Sequence, residues 1–441
     1  MVLGRVLFAA VLLAGCKQSL FDSHNGDDGT ATDATGSGGG DGSIQSSCGA
    51  MCLGDAGGDF DGTSGGKGNH WQYLDDHRDR SWAPMTAMGM AFVGADPANK
   101  ITSCAAQPSA AACTTLPGAL LVSTSGMTSG ADPAIAFTSS NKQVIKLTVR
   151  VNIPTGADQT VRLYRNARED VLFTQVATAG NTVETSIQVD AFAGDRFLLA
   201  IAPTGVGATD IGVQFFVNGT GMTFPHECLM GLQFTGPAPT TAMMENACGA
   251  AFTSRVLDTS GTPSDVAPTF TAGPFPELGM AGDIALDHYY KGADVLNRMG
   301  DTTTQFWMRE DAFGTENAVI FSDDDLDATG GLEVYRLMAD GRLGAQTCTV
   351  VTTMTLDFAY AAGPYPAPDT GWHFVRVVHT GGSVKICVDG TRTASYVLAA
   401  GKMQSTYPPY IGKDVIWTPS GAYFDGAIDD VRVLSTALPC N

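Results

Sequence analysis

The chain has 441 residues, 44% of them hydrophobic and only 16% charged, so it can bury a substantial core over two or three domains and is not a disordered protein. Its 25 basic and 45 acidic residues leave a formal charge of −20 at pH 7, a field that repels phosphate backbones and argues against nucleic acid as a partner. Abundant Gly, Ser, Thr, Ala and Asp suit an exported all-β protein with many turns.

The N-terminus sets the expected location. Arg5 supplies a positive start and Val6 to Leu13 an apolar run, too short for the roughly 20 residues of a membrane-spanning helix. Leu13-Ala14-Gly15-Cys16 follows at once. This ending resembles a bacterial lipoprotein lipobox, which implies that residues 1–15 are a signal peptide, that Cys16 is lipidated, and that the lipid anchor is the protein's one membrane contact. Lys17 is not the Asp that retains many such lipoproteins on the inner membrane, so the resemblance implies an outer-membrane or cell-surface destination.

Residues 16–69 read as a disordered N-terminal tether. Asn25-Gly-Asp-Asp-Gly29, Thr35-Gly-Ser-Gly-Gly-Gly40 and Asp61-Gly-Thr-Ser-Gly-Gly66 carry too little apolar surface to fold. A linker of this kind spans roughly 40 Å.

Residues 70–223 read as a first antiparallel β-sandwich. In Val144 to Val151, Ile145, Leu147, Val149 and Val151 alternate with Lys146, Thr148 and Arg150, the period of a half-buried strand. Similar runs occur at Val161 to Tyr164, Val171 to Val176, Thr185 to Val189, Phe197 to Ile201 and Ile211 to Val217, with turn residues between them. Phe216 falls on the outward phase of its strand. Ala193-Gly-Asp195, with Asp210-Ile-Gly-Val-Gln-Phe215 further on, resembles jelly-roll carbohydrate-binding modules.

Residues 224–441 read as a second sandwich. Strands are expected near Gly279 to Asp287, Thr303 to Arg309, Ala318 to Phe321 and Gly331 to Leu337. Phe374 to His379 and Val384 to Val388 flank the turn Thr380-Gly-Gly-Ser383, and Asp389-Gly390 turns the chain into Thr391 to Val397. With Tyr410-Ile-Gly412 and Phe424-Asp-Gly-Ala-Ile-Asp-Asp-Val-Arg-Val433, this order resembles laminin-G-like, concanavalin A-like jelly-roll domains. The resemblance implies a two-sheet sandwich that binds glycans or protein partners. It is carried most specifically by the last 70 or so residues.

Ten cysteines in an exported chain point to disulfides. With Cys16 set aside, nine remain and one has no internal partner. Cys348 and Cys387 lie on runs that can be neighbouring strands, Cys104 and Cys113 close a short loop, Cys228 or Cys248 can reach Cys440, and Cys48 can pair with Cys52. Zinc at Cys48 and Cys52 lacks a second Cys/His pair at finger spacing.

Catalytic patterns are missing. Concanavalin-like glucanases place two carboxylates on one strand as Glu-x-Asp-x-x-Glu, and that pattern is absent; Glu333 stands alone and Arg309-Glu310-Asp311 reads as solvated charge. The expectation is a binding protein rather than an enzyme. The histidines are scattered; His70 and His77 would stand roughly 10 Å apart even on one helical face. Asp323, Asp325 and Asp327, in Asp323-Asp-Asp-Leu-Asp327, are the candidate ligands for calcium, which takes six or more hard oxygens; a solvated acidic turn is the competing reading. For sugar stacking the candidates are Tyr407, Tyr410 and Trp417, aromatic residues in a Pro- and Gly-rich stretch, whereas Trp307 and Trp372 read as core. The leading reading is recognition of a glycan or an extracellular protein by the second sandwich. A structural or adhesive role in the envelope and a divergent glycan hydrolase are the alternatives.

Overall fold

The structure, a computed structural model, describes Cys48, residues 51–62 and residues 70–440, apart from 128–129, 236, 258–261, 277, 286, 297, 299, 312–317, 324–332, 337–342, 352, 361–370, 381–382, 398–406 and 414–423. The fold is all-β: among the described residues, four antiparallel sheets stack in pairs as two sandwiches. Both lie within one compact unit.

In the first sandwich one sheet runs in the order Thr182–Ala191, Gln143–Asn152, Val206–Gly219, Leu120–Gly126, Lys100–Ser103, Ala91–Val93, Thr86–Ala87. The facing sheet runs Ala167–Ala177, Gln159–Arg165, Arg196–Pro203, Asp132–Thr138, Trp71–Asp76, Trp82–Pro84. Period-2 patterning sorts the side chains: Ile145, Leu147, Val149 and Val151 meet Leu163, Leu199, Ile201 and Trp71 in one core, while Lys146 stays exposed. Each such buried side chain contributes about 1.5–3 kcal/mol from area removed from water.

The expected tether is shorter than residues 16–69. Cys52–Asp55 forms a strand against Val206–Gly219, a Cys48–Cys52 disulfide braces its start, and Phe60 is buried against Tyr73 and Phe92. Asp59 accepts the Trp71 indole N–H at 3.0 Å, and Asp55 caps its own turn through the amides of Gly57 and Gly58. Low apolar content concealed this segment, because one aromatic and a few turn carboxylates suffice when a ready-made sheet edge supplies the hydrogen bonds.

In the second sandwich one sheet runs Thr269–Ala272, Met280–Ile284, Gly426–Leu434, Thr302–Glu310, His373–Thr380, Ser383–Val388, Thr391–Val397, with Cys228–Leu232 also on Gly426–Leu434. The other runs Met243–Met244, Phe252–Leu257, His288–Gly292, Tyr410–Ile411, Ala318–Ser322, Glu333–Arg336, Leu343–Val351, Thr353–Tyr360, with Pro263–Asp265 on Phe252–Leu257. Phe306, Met308, Val375, Ile386, Ile428 and Val433 face Phe252, Tyr290, Phe321 and Ile411 across the core. Asp389 and Gly390 both take positive φ, 52° and 74°, as a two-residue Asp-Gly hairpin turn requires.

Among the described residues, disulfides join Cys48–Cys52, Cys104–Cys113, Cys228–Cys248 and Cys387–Cys440, with Cα separations of 5.1, 5.3, 5.8 and 5.9 Å. This corrects two expected pairings. Cys348 lies on Leu343–Val351, in the opposite sheet from Cys387, so Cys387 takes Cys440 instead. Cys228 is closed locally by Cys248, which leaves the C-terminus to Cys387.

Candidate functional site

The two sheets of the second sandwich have different surroundings, and that difference selects the site. The outer face of the sheet containing Gly426–Leu434 is covered by the first sandwich. Gln305 stands opposite both Arg376 and Arg432 in register, so these three polar side chains form a row across three adjacent strands. From the first sandwich, Asp170 accepts from Arg165 at 2.8 Å and Gln305 at 3.0 Å and pairs with Arg376. Asp195 receives both terminal nitrogens of Arg432, at 2.7 and 3.0 Å. All of these groups are buried.

Burial alone would raise the two carboxyls. The guanidinium charges outweigh it and hold Asp170 and Asp195 below the usual carboxylate range. Around the polar row, Trp307 at 1% exposure packs with Phe374, Leu278 and Ala167. Trp307 therefore belongs to the seam between sandwiches rather than to a sandwich interior, and Trp372 is only half-buried at its edge. Arg80 closes the rim, pairing with Glu169 and with Asp389 at 2.7 Å and donating to the Trp372 carbonyl at 2.9 Å. A small pocket of about 10 Å³ sits in the same seam beside Glu169, Arg376 and the Cys387–Cys440 bridge, room for about one water and no more.

The outer face of the other sheet carries a different set of groups. Register places Arg255 opposite Tyr289, Thr253 opposite Lys291, Lys291 opposite Tyr410, and Tyr410 opposite Ser322. Partners opposite one another share a face, so these side chains turn away from the core that holds Phe252, Tyr290, Phe321 and Ile411. Tyr289 and Tyr410 lie near-parallel, 18° apart with ring centroids 5.9 Å apart. The Lys291 ammonium stands 5.4 Å from the Tyr410 ring centre and that of Lys413 5.0 Å from Tyr289. Arg255 is held by Asp265 at 2.8 Å. Burial pushes the Tyr289 phenol up, against the opposing pull of Arg255, so it is a neutral hydroxyl at physiological pH. The Ser322 hydroxyl beside Tyr410 is buried and has no hydrogen-bond partner among the described residues.

The segment before Tyr410 is fixed from the same strand. The Pro409 carbonyl accepts a hydrogen bond from the Gly292 amide at 2.8 Å. Tyr407, two residues earlier, is exposed at 36%. The structure thus brings Tyr410 into an aromatic and cationic group, with Tyr407 three residues before it in the chain, while Tyr289, Lys291 and Arg255 went unnoticed in the sequence. Their signal was available: Arg255-x-Leu257 and His288-Tyr-Tyr-Lys291 alternate as a strand with polar and aromatic groups on its outward phase.

Several candidates sit elsewhere. Asp323 is fully buried and engaged by Arg298 at 2.6 Å, so it is a core ion pair rather than a carboxylate of a solvent-facing calcium loop; a carboxylate removed from water requires such a counter-charge. Asp325, Asp327 and Trp417 lie outside the described residues, as does Cys16. Among the described residues no group of three or more His, Cys, Asp or Glu side chains is placed to hold a metal ion. Glu310 is buried rather than solvated, and Arg309 pairs with Asp311 at 2.8 Å. Phe216 is also buried, with the Arg150 guanidinium 5.9 Å from its ring centre.

Residues 286–440 match a laminin G-type family model of the concanavalin A-like lectin/glucanases superfamily. That laminin G-type segment contains Tyr289, Lys291, Tyr407, Tyr410 and Lys413, while Arg255 lies before it. Among solved structures, similarity extends to a domain of an extracellular arabinanase from Geobacillus stearothermophilus in complex with arabinotriose, at 14% identity, 48% of this chain, 96% of that one and a TM-score of 0.37. It also extends to the botulinum neurotoxin serotype D binding domain, at 13% identity, 48% of each chain and a TM-score of 0.34. The chain therefore spans about half the length of that toxin domain. No curated protein matches.

Proposed function

We propose that the protein is a binding protein whose laminin G-type sandwich recognises a saccharide on the sheet face centred on Tyr410, displayed at a cell surface from a lipid anchor on Cys16. The observation that carries the reading is half-buried Tyr410, packed on buried Tyr289 and flanked by Lys291, Lys413 and Arg255, on the outer face of the sheet opposite the one that the first sandwich covers. Sugar rings present apolar C–H faces to aromatic rings and take hydrogen bonds at their edges. The Tyr410 ring and the cationic donors beside it supply both kinds of contact. The lipobox-like Leu13-Ala14-Gly15-Cys16 supports the anchor, and the lack of a paired-carboxylate strand motif supports binding over hydrolysis.

A glycan array with the full chain tests the first part. Saturable binding that Tyr410→Ala abolishes, with the circular dichroism of the variant unchanged, is the expected result. An array without binding, or binding indifferent to Tyr410, refutes it, and release of reducing ends from a bound polysaccharide would favour a hydrolase. Incorporation of labelled palmitate, lost in Cys16→Ala, tests the anchor.

A further inference from the structure

We infer that Thr182–Gln188 of the first sandwich is a self-pairing edge: it joins the same strand of a second copy of this chain, antiparallel and two-fold symmetric about Thr185. This contact is independent of saccharide recognition, which belongs to the other sandwich.

Thr182–Ala191 ends its sheet and pairs along its whole length with Gln143–Asn152, its one strand partner among the described residues. Antiparallel strands send the N–H and C=O of alternate residues to opposite sides. The Val144 carbonyl accepts from the Thr220 amide and the Asn181 carbonyl from the Ile153 amide, so the even-numbered residues of Gln143–Asn152 bond toward Val206–Gly219 and the odd-numbered ones toward Thr182–Ala191. In register, Val183, Thr185 and Ile187 stand opposite the odd-numbered Val151, Val149 and Leu147. Thr182, Glu184, Ser186 and Gln188 therefore turn their backbone groups outward. Past Gln188 the edge closes: Asp190 accepts from the amides of His226, Glu227 and Cys228 at 3.0, 2.7 and 2.7 Å, and Val189, Asp190 and Ala191 are buried.

The other edges of this sandwich carry the protection that exposed edges need against pairing with another chain. Thr86–Ala87 has two residues, and Trp82–Pro84 has three and ends in proline. Ala167–Ala177 breaks register twice against Gln159–Arg165 and enters the seam at Asp170. Thr182–Gln188 has no proline, no lysine and no bulge. Its one charged side chain, Glu184, is already held by Arg150 at 2.9 and 3.3 Å.

The occupant that fits this edge is the edge itself. With Thr185 opposite Thr185 of a second copy, Val183 meets Ile187, Glu184 meets Ser186 and Thr182 meets Gln188, and the free stretch runs equally far on either side of the dyad. The outward residues then face one another and form up to about eight main-chain hydrogen bonds. Val183 and Ile187 are half-buried and pack on the core from its side, so the apolar members of the two strands lie against each other. No carboxylate stands directly opposite another. Two chains of net charge −20 thus meet at a contact without opposed charges, and the remaining repulsion is screened beyond a Debye length of about 8 Å at physiological salt.

Sedimentation velocity over a concentration series tests this on the full chain carrying Cys16→Ala, so that no acyl chain drives association. We expect a monomer–dimer equilibrium that added salt tightens. Ser186→Pro removes an outward N–H and leaves the bonds to Gln143–Asn152 in place. It should raise the dimer Kd by about tenfold or more, since each copy loses a hydrogen bond, with the circular dichroism unchanged. Under mild oxidation Thr185→Cys should cross-link to its own copy, because facing residues of a non-hydrogen-bonded pair have Cα atoms about 4.5 Å apart, within disulfide reach. Gln188→Cys, which lies opposite Thr182, should not cross-link above the level of the chain without an added cysteine. A chain that stays monomeric at every concentration overturns the inference, as does a dimer that a folded Ser186→Pro leaves intact, or equal cross-linking at the two cysteines. If Ser186→Pro fails to fold, the contrast between the two cysteines decides.

Discussion

Arg432 and Asp195 form a fully buried, bidentate ion pair between the two sandwiches, with Nη2–Oδ1 2.7 Å and Nη1–Oδ2 3.0 Å. Asp195 also accepts from Asn166 at 2.9 Å and from the Phe192 amide at 2.9 Å, so its carboxylate is saturated. The Arg432 guanidinium lies 4.3 Å from the Phe192 ring centre and donates Nε to Asp430 at 2.7 Å. A network satisfied to this degree fixes how one sandwich sits on the other, because any shift that kept the seam buried would leave a charge without its partner.

Removing one partner should therefore be costly. Arg432→Met leaves Asp195 buried without its counter-charge and should lower unfolding free energy by about 3–5 kcal/mol, read from urea melts. The double variant Arg432→Met with Asp195→Leu should recover a large part of that loss. A single variant within 1 kcal/mol of wild type, a scale on the order of a surface pair, would show that the seam contributes little.

The same carboxylates predict an acid limb. In Asp170 and Asp195 burial acts to raise the pKa, but Arg165 and Arg376 at the first and Arg432 at the second outweigh it, so the folded values lie below the usual one. Groups of this sign stabilise the fold above the unfolded pKa of about 3.9 and lose that contribution as pH falls through the folded value. The melting-temperature gap between wild type and Asp195→Asn should be full near neutrality and narrow below about pH 4. A gap independent of pH contradicts the assignment.

The C-terminal bridge holds the last strand's extension over the seam. Cys387 and Cys440 are 53 residues apart in sequence, and Pro439 next to the bridge accepts from Arg376 at 2.7 Å. Replacing both cysteines by Ser should lower stability by about 4 kcal/mol on loop-closure grounds and speed amide exchange at Val171 and Arg376. Unchanged exchange there would mean that the bridge does not hold the seam.

Residues 51–62 offer a test of where folded structure begins. Phe60→Ala should lower stability by about 3–5 kcal/mol, and truncation before His70 should lower the melting temperature of the remainder. A truncated chain as stable as the full one would restore the longer tether.

What the sequence disclosed is mostly what period 2 and turn chemistry encode. The alternation in Gln143–Asn152, the Asp389-Gly390 turn and the consecutive strands from His373 to Val397 were legible because each depends on neighbours within a few residues. Tyr407 and Tyr410 could be proposed for the same local reason, as aromatics in a Pro-rich turn.

The rest depended on distant neighbours. Nothing in the local pattern marks Gln305, Arg376 and Arg432 as buried, yet Thr302–Glu310 is buried almost throughout and Gly426–Leu434 along its whole length, because the first sandwich covers their outer face. Asp323 read as a calcium carboxylate until Arg298, 25 residues earlier, proved to be its partner. Cys387 chose Cys440 over Cys348 because sheet membership, not strand propensity, sets which sulfurs can meet. Sequence by itself determined the strands, the turns and the acidic, all-β character of this protein. Only the tertiary structure decided which face is covered and which carries Tyr289, Tyr410 and Lys291, because burial of a sheet face and the pairing of buried charges are set by what packs against them and not by the local pattern.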